Sequence, residues 1–179
     1  DAASPNGIRR LTDNEKILGL VKNESSIKEF LEQSKNQISD PNKFVDDAFS
    51  PADPQGKRFR LLVATGKLRK DGDVNGFDAS IKDLLGNNTF KKEDFEAFRK
   101  IVNDNPNVPD TFLQSNLQKE AKRILNNRNI DLKRKELELQ DAGFNTDTLK
   151  KNGEKLGPIF DAGRTLDKNN PLGAISQEL

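Results

Sequence analysis

The chain has 179 residues, with 30 bases against 29 acids, and contains no Cys, His, Met, Trp or Tyr. Without Cys or His there is no disulfide framework and no thiolate nucleophile, and the commonest general base and metal ligand are both missing. A net charge of +1 gives no whole-molecule field toward nucleic acid or an anionic membrane, so any such binding must come from a local patch.

Leu, Ile, Val and Phe together supply about a quarter of the residues, enough for a lean core, and charged residues supply 33%. That balance predicts an all-α protein: a compact irregular multi-helix bundle or short helical array of about eight to ten helices with large solvated faces. No apolar run of about 18 residues occurs, so no membrane-spanning segment is expected. Lack of Cys suits a cytoplasmic and a secreted protein equally. The absence of Met points to a processed product or a fragment, with a bacterial secreted protein as the expected parent.

Residues 1–10 read as a flexible lead-in, and 11–166 as a single helical domain. Thr12-Asp13-Asn14-Glu15 is a capping box opening a helix with Ile17, Leu18 and Val21 on one stripe. A second helix starts near Ser25 and carries Ile27, Phe30, Leu31 and Ile38. Asp40-Pro41 places a cap and an N1 proline before a short helix with Phe44, Val45 and Phe49. The loop 51–56 follows and is one place where the domain would subdivide.

The segment 57–70 fits a helix better than a short strand. As a helix it carries Phe59, Leu62 and Val63 on one side and Leu61, Ala64 and Leu68 on the other, which predicts a helix sandwiched between layers. The eleven Phe residues, by their helical spacing, are expected in the core. After a turn at 71–76 comes a helix with Ile81, Leu84 and Leu85, closed by Gly86 in the left-handed conformation. Thr89 is expected to cap the next helix, whose stripe is Phe95, Phe98, Ile101 and Val102. The loop 104–109 is the second place for a subdivision.

A long helix is predicted from Asp110 to Asn126, with Leu113, Leu117, Ala121, Ile124 and Leu125 inward. A separate helix follows over 130–142, with Ile130 and Leu137 on one face and Leu132 and Leu139 on the other, either sandwiched or offering a face to a partner. Gly143 then closes a Schellman motif, with Phe144 against Leu139. A short helix carries Leu149 and Leu156, one further turn is expected near 157–166, and 167–179 reads as a tail or linker.

Two segments are candidate sites. Asp71-Gly72-Asp73-Val74-Asn75-Gly76 matches the opening of a helix–loop–helix calcium loop, with Asp71, Asp73 and Asn75 as candidate metal ligands. Position twelve of that pattern, a bidentate Glu, is Lys82, and position eight is Asp78. A polar turn using residues tolerant of positive φ is therefore the preferred reading, and no cofactor is expected. The second candidate is the basic set Lys57, Arg58, Arg60, Lys67, Arg69 and Lys70, with no acid between them, which could hold phosphates. On a helical wheel these bases scatter around the axis, so solvated flanks paired with Asp46, Asp47 and Asp53 are preferred. Lys119, Lys122, Arg123, Arg128, Lys133, Arg134 and Lys135 are interleaved with acids and read as helical surface. Gly66-Lys67 lacks the glycine and the Ser/Thr of a phosphate loop. Glu24, Glu29 and Glu93 are the carboxylates one would name for a two-carboxylate hydrolase, without any sign of an apolar pocket beside them.

The function expected is a non-catalytic protein-interaction module with another protein as partner. Phosphate, phosphoinositide or nucleic-acid binding through 57–70 is the alternative, and an enzyme using carboxylate or Lys/Arg chemistry the second alternative. The first demands an exposed apolar patch of more than roughly a few hundred Å², the second convergent bases with binding that falls steeply as salt rises, and the third a deep pocket with at least two perturbed titrating groups.

Overall fold

Local signals place most helix ends. In a computed structural model describing residues 12–169, Thr12 Oγ1 accepts from the Glu15 amide at 3.2 Å and opens α1 (Asp13–Lys22). α2 spans Glu24–Lys35, and Asp40 accepts from the Lys43 amide at 3.2 Å to cap α3 (Pro41–Ala48). α4 (Lys57–Asp71) and α5 (Val74–Leu85) follow, then α6 (Lys92–Asn103), α7 (Asp110–Asp141), α8 (Thr146–Lys151) and α9 (Leu156–Asn169), with a 3-10 turn at Gly153–Lys155 before α9. The architecture is thus all-α, with nine α-helices and no strand among the described residues. Segment 57–70 is helix throughout.

Several expected boundaries move. Ile38 lies beyond α2 and packs half-buried on the cluster built by α3–α7. Thr89 does not open α6: its hydroxyl donates to the Leu85 carbonyl at 2.6 Å and so closes α5. α6 is opened instead by Asp94, which accepts from the Lys91 amide at 2.7 Å. Gly86 ends α5 at φ 102° and ψ 144°, outside the left-handed helical well. The two helices expected over 110–142 are one continuous helix. No Gly or Pro lies between Asp110 and Asp141, and Asn126, Asn127 and Asn129 lower helix propensity too little to break it. The Schellman ending is as expected: Gly143 N–H meets the Gln140 carbonyl at 2.9 Å and Phe144 N–H meets the Leu139 carbonyl at 2.9 Å. α9 extends to Asn169, past the expected domain end at 166, and the lead-in 1–10 lies outside the described residues.

The chain divides into two compact units, residues 36–131 and the pairing of 12–35 with 132–169. The divisions fall at 35/36 and 131/132, whereas composition points to the loops 51–56 and 104–109. The reason is that α7 supplies its first part to one unit and its last part to the other, and no break in the chain marks that passage. The 36–131 unit buries Leu61 and Leu68 of α4, Phe77 and Ile81 of α5, Phe98 and Val102 of α6, and Leu113 and Leu117 of α7 in one apolar cluster. Phe90, Phe95 and Phe98 pack edge to face within it, with ring centroids 5.1–6.5 Å apart.

The other unit gathers Ile27 and Phe30 of α2 with Leu132, Leu139, Leu149, Leu156 and Phe160. Here α1 meets α9 at Gly163, where a methyl group would overlap Val21 Cγ2 and fall 2.9 Å from Ile17 Cγ2. That close approach, rather than any turn, explains the glycine.

Candidate functional site

α4 has one covered side. Leu61, Ala64, Thr65 and Leu68 are buried at three- and four-residue spacing. Thr65 satisfies its hydroxyl within the helix, donating to the Leu61 carbonyl at 2.8 Å. The opposite side carries Phe59, Val63, Gly66 and Lys70, one above another along the helix. Phe59 keeps 66% of its surface exposed and Val63 keeps 42%. The sandwiched helix expected from the two apolar stripes is therefore half realised: one stripe is core, and Phe59 and Val63 face outward. Phe112, at the start of α7, is likewise exposed, so the assignment of the phenylalanines to the core fails at two of them.

Fixed ends hold this face in place. Gly56, at φ 67°, precedes α4, and Asp53 supplies the missing cap by accepting from the Arg58 amide at 2.8 Å and the Gln55 amide at 3.0 Å. These hydrogen bonds favour the ionised carboxylate and lower the pKa of Asp53. The Gln114 side chain donates to the Arg58 carbonyl at 2.8 Å and ties α4 to α7. At the other end Gly72, at φ 69°, returns its amide to the Leu68 carbonyl.

Asp73 then caps α5 by accepting from the Gly76 amide at 2.9 Å, and a methyl group on Gly76 would overlap the Asp73 carboxylate. The three candidate calcium ligands are thus distributed over a tight helix–helix joint. Asp71 is the last residue of α4, Asp73 is the cap, and Asn75 is exposed in the first turn of α5. Among the described residues no group of three or more Asp or Glu could hold a metal ion.

The six candidate phosphate ligands do not converge. Arg60 pairs with Asp83 at 2.7 Å and donates to the Gln55 carbonyl. Arg69 bridges Asp110 and the Asn105 carbonyl, clamping the start of α7. Lys57, Arg58 and Arg60 line three different open hollows. Lys67 and Lys70 are exposed and make no ion pair among the described residues. Of the three acids expected beside α4, Asp53 serves it as the cap, and the acids that pair with its side chains are Asp83 and Asp110. Asp46 bonds Lys122 and Gln118, and Asp47 bonds Lys43. Lys135 meets Glu29 of α2 at 3.2 Å.

Phe59 stands between two of the hollows. One, of about 310 Å³, is walled by Phe59 and Val63, floored by Ala64, Gly76 and Ser80, and rimmed by Arg60, Lys67 and Asp73. The other, of about 280 Å³, lies against Leu62, Pro51 and Thr111. Small floor residues beside a large apolar wall leave room for side chains of another molecule.

No protein-family model, curated protein or solved structure matches this chain.

The carboxylates named for hydrolysis are engaged elsewhere. Glu24 bonds Lys28 and Arg164, which lowers its pKa, Glu29 bonds Lys135, and Glu93 is exposed in the first turn of α6. The residue that sequence reasoning missed is Arg128, grouped with surface bases. It is half-buried, pairs with Asp94, donates to the Thr89 carbonyl and lies 5.6 Å over the Phe90 ring. Only its place three and four residues from the inward Leu125 and Ile124 hinted at this.

Asp78 is the one carboxyl among the described residues where burial wins and raises the pKa, against the pull of Arg99 at 3.6 Å and of Lys82. A raised native value means that the folded state holds the proton more tightly than the unfolded chain. Stability is then lost as pH rises from the unfolded value of about 3.9 through the native one. Asp78→Asn lacks this loss. Its melting temperature relative to the parent is expected to rise across that window and stay level above it. A difference that falls with pH in parallel melting curves would show that the Arg99 pair outweighs burial.

Proposed function

We propose that this chain is a non-catalytic protein-interaction module and that the free face of α4 is its contact surface. One observation carries the reading: Phe59 and Val63 are exposed side by side on a helix whose opposite face is core. Each Å² of apolar surface removed from water contributes about 25 cal/mol, and an aromatic anchor in a pocket is the usual centre of binding energy at interfaces. The hollows on both sides of Phe59 supply the relief that such an anchor needs. The bases of α4 favour the phosphate alternative less, because two of them are held by Asp83 and Asp110.

The test is a photo-crosslinking residue placed at position 59, with the same residue at the exposed Lys100 of α6 as the control. Position 59 should give a discrete protein adduct in the cell of origin, and position 100 should not. Phe59→Ser with Val63→Ser should change unfolding free energy by no more than about 0.5 kcal/mol per site, as surface substitutions do, while removing the partner. Equal adducts from both positions, or none from 59, would reject the face as a contact surface.

A further inference from the structure

The free face of α4 is apolar toward its N-terminal half and basic toward its C-terminal half. Phe59 and Val63 are followed on the same side by Lys67 and Lys70, with Gly66 leaving the backbone open between them. α4 holds six bases and one acid, and that acid, Asp71, is its last residue. Of the neighbouring acids, Asp53 and Asp73 cap helices and Asp83 neutralises Arg60. Lys67 and Lys70 make no ion pair among the described residues, and Lys67 also rims, with Asp73, the hollow walled by Phe59 and Val63.

We infer that the partner offers an amphipathic segment whose apolar side chains cover Phe59 and Val63 and whose carboxylates meet Lys67 and Lys70. This rests on the interaction reading above. The occupant is an acidic peptide segment rather than a phosphate ligand because the hollow beside Lys67 is walled by the apolar carbon of Phe59 and Val63. A phosphate would leave Phe59 and Val63 in water. An apolar segment with acidic residues at one end buries them and supplies the opposite charge. Apolar contact would set the lifetime of the complex, and the lysines its orientation and association rate.

The test uses two fluorescein-labelled helical peptides with Leu at i, i+3, i+4 and i+7, one ending in a Glu run and one in a Lys run. Anisotropy gives their Kd for the whole chain at 0.05 M and 0.5 M salt. The Glu peptide should bind at least about tenfold more tightly at low salt, and the preference should shrink at high salt, where charges are screened beyond about 3–5 Å. Lys67→Glu with Lys70→Glu should reverse the preference, and Phe59→Ser should weaken both peptides. Equal binding of both peptides, lost in Phe59→Ser, would overturn the acidic partner and leave the interaction surface standing. No binding of either would also overturn it, and the crosslink from position 59 then decides the interaction reading separately. Inositol hexakisphosphate bound equally by the parent and Phe59→Ser, but not by the double lysine variant, would replace the inference with an anion site.

Discussion

Phe98→Ala lowers the unfolding free energy of the 36–131 unit by about 3–5 kcal/mol, the cost of emptying a filled aromatic site. Phe98 is fully buried and meets both Phe90 and Phe95 edge to face. Its removal forfeits transfer energy, leaves a cavity that flanking helices close only in part, and dissolves two ring contacts. Small domains are stable by about 5–15 kcal/mol in all, so the variant stands close to unfolding at ambient temperature. Urea titration of the whole chain, followed by far-ultraviolet circular dichroism, reads the change as a lower midpoint. Phe59→Ala, the same chemical change on the exposed face of α4, should move that midpoint little. Equal losses for the two variants would contradict the burial assigned to both.

Arg128→Ala is expected to cost about 2–4 kcal/mol, near the range for breaking a buried pair. The guanidinium serves three groups at once: the Asp94 carboxylate at the start of α6, the Thr89 carbonyl at the end of α5, and the Phe90 ring. Burial pulls its pKa down, with Glu93 opposing, so it is held charged in a partly desolvated place. Asp94 keeps the Lys91 amide as a partner, which places the cost below that of a fully orphaned carboxylate. Arg128→Lys should recover only part of the loss, because an ammonium cannot present a planar fork to two oxygens. A change under about 0.5 kcal/mol for Arg128→Ala, measured in the same titration, would make this contact an ordinary surface pair.

Helix class and most helix positions were legible because they depend on neighbours within four residues. Thr12, Asp40, Gly143 and the stripe from Leu113 to Leu125 act through local hydrogen bonds and helical period, and each does what its spacing predicts. The failures have a common cause. Thr89 could cap forward or bond back to the preceding turn, and only the path of the chain between α5 and α6 selects the second. The sequence places a helix end at Asn126 and a new start at 130, yet the low helix propensity of the asparagines between them is too weak to interrupt α7. Arg60, Arg69 and Arg128 found partners 23, 41 and 34 residues away in sequence (Asp83, Asp110 and Asp94), where no spacing rule applies.

The candidate face was half legible in the same way. The sequence by itself determined that 57–70 has two apolar stripes and a surplus of bases, since both follow from residue order and a period of 3.6. Which stripe becomes core was decided only in the tertiary structure. Leu61 and Leu68 meet the apolar cluster of α5–α7 and Ala64 is buried with them, while Phe59 and Val63 meet solvent. Tertiary structure also separated the bases into those that hold the fold and those left over. Arg60 and Arg69 reach carboxylates on other helices, and Lys67 and Lys70 do not. Burial and charge pairing are both properties of what another helix brings near, and a single strip of sequence does not contain them.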